Sequence, residues 1–265
     1  MRFAVGLWLL CQTLLALAQP DPFPEVAAAY WVEINGAPVW RKQGSRPLPP
    51  ASLTKLMTAL LVLEQGQLQA VASVSRAAAA ETGTRIGLRV GEKFQVQDLL
   101  AATLIASAND ACHALADELA GNEARFVQRM NQRAAALGLR NTHFVNACGH
   151  DAVGHYSSAQ DLARLAHELL KHPLATELSA KAAARISTLD GGHSYEFKSS
   201  NALIGRYTGA MGLKTGYTSK AGKCLVAYVE RGKTQVLLVL LHGKDRWWDA
   251  VDILDLAFER AQHAL

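Results

Sequence analysis

Apolar positions in this chain fall into short runs bounded by glycine or asparagine and longer runs without a breaker. Residues 30–34 and 37–40 flank Asn35-Gly36, the strongest two-residue turn signal, and predict a β-hairpin. Pro38 cannot donate a ladder hydrogen bond, which places the second arm at a sheet edge. Residues 53–63 hold Leu, Met, Val and Ala with no breaker and predict a buried helix that starts at Ser52 and ends near Gly66. Across 71–96 an alanine run gives way to Gly83, Gly87 and Gly91, which predicts short strands or hairpins rather than a helix. Residues 97–106 and 110–119 predict two apolar helices with a short polar joint, Ser107-Ala108-Asn109, between them. An amphipathic helix follows over 123–137 and stops at Gly138. The irregular stretch 141–156 leads into a helix that begins around Ser157, with a serine cap and Asp161 in its first turn, and runs to about Lys171. Short strands are predicted around Gly191-Gly192. Residues 223–229 and 235–241 flank the turn Arg231-Gly232-Lys233 and predict an antiparallel hairpin in a central sheet. A helix over 247–264 closes the chain.

The first residues have a different character. Arg2, the apolar run 3–17 and Ala16-Leu17-Ala18 read as the n-region, h-region and cleavage site of a signal peptide, residues 1–18. An uncleaved anchor is the alternative, but the run is short for a span and has no basic flank after it. The protein is therefore expected in the periplasm or cell-wall space, with no stable membrane anchor after signal cleavage. No repeat, low-complexity tract or linker divides 19–265, which reads as a single domain. Half of the residues are hydrophobic, enough for a sizeable core. The net charge of +4 is spread along the chain, so nucleic-acid binding gains no support, although an anionic polymer would still attract the protein. Cys112, Cys148 and Cys224 are an odd number and form no C-x-x-C pair. Cys112 in an apolar helix and Cys224 in an apolar strand read as small buried hydrophobes, and no disulfide framework is expected.

The candidate chemistry starts at Pro49-Pro50, which holds the chain extended ahead of Ser52. A serine at a helix start lies among unpaired amide N–H groups at the positive end of the dipole, and Lys55 follows one turn on. A hydroxyl beside an amine in that setting is one way to build a serine nucleophile. By itself, S-x-x-K more often describes a capping serine and a solvated lysine. Two further motifs follow in order, Ser107-x-Asn109 and Lys214-Thr215-Gly216, and the three together form the set of penicillin-binding proteins and class A β-lactamases.

Through these motifs the sequence resembles a low-molecular-weight penicillin-binding protein of the D-alanyl-D-alanine carboxypeptidase family, in compact form without a C-terminal β-domain. The similarity extends through 51–58, 107–117, 137–165 and 212–227. The resemblance implies an α/β (α+β) fold, an antiparallel central sheet flanked by helices with a largely helical subdomain and the site between them, like the β-lactamase and transpeptidase fold. It also implies a peptidoglycan stem peptide as substrate, β-lactams as inhibitors, and no cofactor or metal. In that pattern Ser52 attacks a D-Ala-D-Ala carbonyl, and Lys55, crowded by Lys214 and desolvated, accepts its proton. Ser107 passes a proton to the leaving amine and Asn109 holds the substrate amide. Lys214, Thr215 and Gly216 meet the terminal carboxylate, and the N–H groups of Ser52 and Tyr217 form the oxyanion hole. Arg246-Trp247-Trp248-Asp249-Ala250 resembles the family's R-F-x-D-A pattern. Arg246 is then either a carboxylate clamp or a solvated arginine at a helix start.

The sequence departs from that pattern at Ser199-Ser200-Asn201, where N-R-N or N-T-N is common, and at His150, where leucine is usual. The alternative activity is D,D-endopeptidase cleavage of peptidoglycan cross-links. A β-lactamase is disfavoured because no E-x-x-L-N segment lies between Asn109 and Lys214, and no G-x-S-x-G elbow marks a Ser-His-Asp hydrolase. A slow penicillin-binding sensor is the non-enzyme reading. His143, His150, Asp151 and His155 fit no zinc spacing, and His113 and His167 read as plain surface or core histidines. Trp31, Trp40, Trp247 and Trp248 read as packing residues, the last two close to the supposed cleft.

Overall fold

Asn35 and Gly36 take φ of 50° and 78°, the pair of positive values that lets a two-residue turn follow the twist of its strands. They join β1 (Ala27–Ile34) to β2 (Ala37–Lys42) in a computed structural model that describes residues 21–263. The predicted signal segment lies outside the described residues. Strand β2, with Pro38, is an edge of a five-stranded sheet completed by β7 (Ala210–Thr218), β8 (Gly222–Arg231) and β9 (Thr234–Gly243). The order is β2-β1-β9-β8-β7 and every pairing is antiparallel. The segment containing Lys214-Thr215-Gly216 is thus itself a strand, at the opposite edge.

The period of two along β8 and β9 sends alternate side chains into two cores. Val226, Tyr228, Leu237, Val239 and Leu241 face the larger one. Leu225, Ala227, Val229, Val236, Leu238 and Leu240 face the smaller one, which helix α8 (Arg246–His263) covers with Ala250, Ile253, Leu254, Ala257 and Phe258. With both faces covered, these strands read as continuous apolar runs.

The larger core is built around α1 (Lys55–Gln65), whose residues from Lys55 to Leu60 are all buried. Around it stand α3 (Val96–Ile105), α4 (Asn109–Ala120), α5 (Glu123–Ala136) and α6 (Ala159–Leu170). Gly66 and Gly121 end α1 and α4 in the left-handed conformation, as their positions predict. The expected serine cap of α6 is Ser158, which accepts from the Asp161 N–H. The alanine run over which no helix is expected forms one turn, α2 (Arg76–Ala79), capped by Ser75. It lies between the short strands β3 (Val71–Ser73) and β4 (Lys93–Gln95). A further helix, α7 (Pro173–Ser179), has no counterpart in the sequence reading. Proline at the first helical position costs no hydrogen bond, so it starts this helix as well as ending the previous one. Strands β5 (Ala183–Ser187) and β6 (Ser194–Lys198) form the hairpin around Gly191-Gly192.

The cysteines correct the sequence reading. Cys112 on α4 and Cys148 in the segment after α5 form a disulfide, with Cα atoms 6.0 Å apart, while Cys224 is free and buried. An odd count without a close-spaced pair gave no sign of a bond between residues 36 apart. It arises because the long irregular segment folds back across α4.

That segment is held by Asp161, fully buried, which accepts from the Asn141 N–H at 2.7 Å and the Thr142 hydroxyl at 2.9 Å. Asp161→Ala leaves these donors unpaired and is expected to destabilise the fold by about 2–3 kcal/mol, read from urea unfolding. A change below about 0.5 kcal/mol would remove this anchor from the account.

Candidate active site

Ser52 sits on a tight turn rather than at a helix cap. Residues Ala51–Thr54 form a 3-10 turn and the α-helix begins only at Lys55, which corrects the expected start. The turn is fixed from several sides. The Thr54 hydroxyl donates to Ala51 O at 2.8 Å and lies 2.8 Å from His155 Nε2. Two glycines allow backbone to press against it. A Cβ on Gly149, at φ +91°, would lie 2.0 Å from Ala51 O and 2.9 Å from Ser52 N. One on Gly216 of β7 would come within 3.2 Å of Ser52 N.

Lys55 is wholly buried on the first turn of α1. Its Nζ lies 2.6 Å from Asn109 Oδ1, 2.6 Å from Cys148 O and 3.1 Å from Ser52 Oγ. Burial lowers its pKa to about 7, against the opposing pull of Glu81 and Asp110. A neutral amine has two N–H donors and one lone pair. The two carbonyl oxygens use both donors, so the lone pair is left for the Ser52 hydroxyl proton.

Asn109, the last residue of the joint, is the first residue of α4, and it is clamped in place. Its Nδ2 donates to Thr82 O at 2.6 Å and its backbone N–H to Thr84 O at 2.8 Å. The neighbouring Asp110 carboxylate accepts from the N–H groups of Gly87 and Leu88 at 2.8 and 3.0 Å. Ser107 is buried in the joint, in the left-handed region at φ 64°.

From the other side comes β7. Lys214 is as buried as Lys55 and donates to Thr215 O at 3.0 Å. Its pKa is well lowered, first by burial and then by the charges of Lys55 and Arg246. Burial is the first cause of the lowering at both lysines, and beside Lys214 the positive charges of Lys55 and Arg246 act in the same direction. The Thr215 hydroxyl is 2.8 Å from that of Ser200, so the departure at 199–201 still places a polar group against the strand. Tyr217 is 66% exposed and Trp248 is 72% exposed. Both side chains are therefore open to solvent beside β7 and at the start of α8.

Arg246 is not a solvated arginine. Its Nη1 donates to Gly216 O at 2.7 Å and Cys224 O at 3.3 Å, its guanidinium lies 4.6 Å over the Trp247 ring, and its Nε is buried with no partner.

The histidines also differ from the sequence reading. His113 and His150 both grip Glu81, at 2.6 and 2.7 Å. His167 bonds to Glu33, and His155 faces Thr54. Asp151 accepts from the Thr218 hydroxyl at 2.7 Å, and His143 lies 2.8 Å from Gly154 O. Glu81 escaped the sequence reading altogether. Its only sign was indirect, in the unusual residue at His150.

The three motifs thus lie together, on the turn before α1, at the α3–α4 joint and on β7, where the sheet meets the helices. Residues 18–245 match the peptidase S11 family, D-alanyl-D-alanine carboxypeptidase, and the chain belongs to that family. It is 36% identical over 245 residues to D-alanyl-D-alanine carboxypeptidase DacF of Bacillus subtilis, covering 89% of this chain and 63% of that one. It is 32% identical over 221 residues to a D-alanyl-D-alanine endopeptidase of Pseudomonas aeruginosa, covering 82% of this chain and 71% of that one. The fold matches penicillin-binding protein D2 of Listeria monocytogenes in its ampicillin-bound form, with a TM-score of 0.77 and 32% identity over 89% of this chain and 98% of that one. The central antiparallel sheet flanked by helices is therefore the penicillin-binding fold that the motifs imply.

Proposed function

We propose that this protein is a serine-type D-Ala-D-Ala carboxypeptidase that trims peptidoglycan stem peptides through a Ser52 acyl-enzyme and is inhibited by β-lactams. The observation that carries the reading is the buried Lys55 amine, its Nζ 2.6 Å from both Asn109 Oδ1 and Cys148 O and 3.1 Å from Ser52 Oγ. Ser52 Oγ attacks the carbonyl of the penultimate D-alanine while Lys55 takes its proton. The carbonyl oxygen becomes an oxyanion held by the N–H groups of Ser52 and Tyr217. Collapse breaks the C–N bond, Ser107 hands its proton to the departing D-alanine amine and regains one from the Lys55 ammonium, and the acyl group stays on Ser52 as an ester. Water then takes the place of the amine and frees the shortened peptide. Asn109 orients the substrate amide, and Lys214, Thr215 and Gly216 receive the terminal carboxylate. Arg246 supports that end by holding Gly216 O, with its unpaired Nε as a further donor. In this reading 19–265 is one exported catalytic domain in the periplasm or cell-wall space, delivered by residues 1–18 and serving cell-wall biogenesis and cell shape. Neither a nucleic acid nor a metal takes part.

Digestion of purified pentapeptide and of cross-linked wall fragments, with products separated by mass, tests the reading. Release of D-alanine from the pentapeptide is the expected result. Dimers falling to monomers with no D-alanine released would instead make the protein an endopeptidase, the activity named for the Pseudomonas aeruginosa relative.

The close approach at Gly149 gives a second check. Gly149→Ala forces a methyl into Ala51 O and must displace Ser52. A shift of about 1 Å at a reacting atom can cost about 100-fold. The rate of reaction with fluorescent penicillin should fall by about that factor, and an unchanged rate would mean that the Ser52 turn yields freely.

A further inference from the structure

We propose that Glu81, gripped between His113 and His150, is a positioning residue for Lys55. The inference rests on the reading of Lys55 as the base that deprotonates Ser52. The Glu81 carboxylate is nearly enclosed and spends one oxygen on each histidine, with His113 Nδ1 at 2.6 Å and His150 Nε2 at 2.7 Å. Each of its neighbours leads to one of the two acceptors that hold the Lys55 amine. Thr82, the next residue, supplies the carbonyl that fixes the Asn109 amide, and Asn109 Oδ1 accepts from Lys55. His113 stands one turn along α4 from Asn109. His150 lies two residues after Cys148, whose carbonyl is the other acceptor. Glu81 therefore ties together the 81–84 loop, α4 and the 146–150 loop, the three pieces that orient the base. The Cys112–Cys148 bond ties the same helix to the same loop from inside, so the acceptors are braced on two sides.

The charge matters as well as the grip. The groups facing Lys55 are Glu81 and Asp110, which favour its protonated form, and Lys214. Facing His113 are Glu81, Asp117 and Glu123, which together raise its pKa although burial opposes them. Facing Glu81 are the two histidines, which hold its pKa far below the usual carboxylate range although burial opposes them. Glu81 thus stays ionised through the working range and keeps a negative charge within reach of Lys55.

The experiment reads the first-order acylation constant at saturating fluorescent penicillin, from pH 5 to 10 in roughly half-unit steps, for the full protein, Glu81→Gln and His150→Leu. A rate constant at saturation reports folded sites only, so partial unfolding does not mimic the effect. Glu81→Gln should move the acid limb of the profile down by about one pH unit, because a charge that favours the ammonium is gone. Its plateau should fall about tenfold as the two acceptors loosen, a change of about 1.4 kcal/mol in the barrier. An unmoved limb overturns the proposal whatever the plateau does, since loss of structure alone lowers a rate without moving a limb. His150→Leu keeps the Glu81 charge, so it should lower the plateau about threefold with the limb in place. An unchanged plateau, or a moved limb, counts against the clamp. Failure of the unaltered protein to label at Ser52 would be the failure of the catalytic reading instead.

Discussion

Ser52→Ala is expected to abolish both D-alanine release from pentapeptide and covalent labelling by fluorescent penicillin, with activity down by about 10⁴-fold or more. The loss should be this large because, in the proposed reaction, the other groups of the site act through Ser52 Oγ. Lys55 has nothing else to deprotonate, and donors placed for an oxyanion have no tetrahedral centre to stabilise. The fold should survive the change. The Ser52 side chain contributes only the 3.1 Å contact with Lys55, while the turn is held by Thr54, His155 and the close glycines. A melting temperature near that of the parent protein would therefore accompany the loss. Persistence of labelling in the variant would overturn the assignment of the nucleophile and with it the proposed reaction.

Lys55→Met is expected to be nearly as damaging, slowing penicillin acylation by about 10²–10⁴-fold, the usual contribution of a placed general base. Methionine fills a similar volume, but the Asn109 and Cys148 oxygens then lose their donor. Part of that cost is offset because a buried amine no longer has to be desolvated. In the unaltered protein the same group sets the pH dependence. Only the neutral amine accepts a proton, and its pKa is lowered to about 7. Below that value the neutral fraction falls tenfold for each pH unit, so acylation should climb as pH rises through about 7 and then level off. A profile that is flat from pH 5 to 8 would remove Lys55 from the role of base. The rising limb should vanish in Lys55→Met.

Much of this site is legible in the chain because its chemistry is carried by short motifs. Ser52 and Lys55 are three residues apart, one turn from each other, Ser107 and Asn109 stand at the two ends of the joint between two apolar runs, and Lys214 precedes Thr215 and Gly216 on one strand. Local spacing fixes each pair, and sheet and helix periods fix most of the elements around them. The type I′ turn at Asn35-Gly36 and the edge position of β2 follow from residues within that hairpin alone. Where the reading failed, the deciding contacts were long-range. Proline at 173 both stops α6 and starts α7, and local sequence cannot say that the second use is realised. The start of α1 at Lys55 depends on backbone from Gly149 and Gly216 pressing on the turn before it.

The sequence alone therefore determined the three motifs, the order of the elements that carry them and the family, because those reside in spacings of a few residues. Tertiary structure alone decided how the groups are tuned. It drew Cys148 to Cys112, set the Cys148 carbonyl and Asn109 Oδ1 around one amine, and closed His113 and His150 on Glu81 across 32 and 69 residues of chain. It also buried both lysines, so that desolvation is the first cause of the lowered pKa of Lys55 and of Lys214. Burial and through-space charge depend on what packs around a group, and no spacing along the chain encodes that.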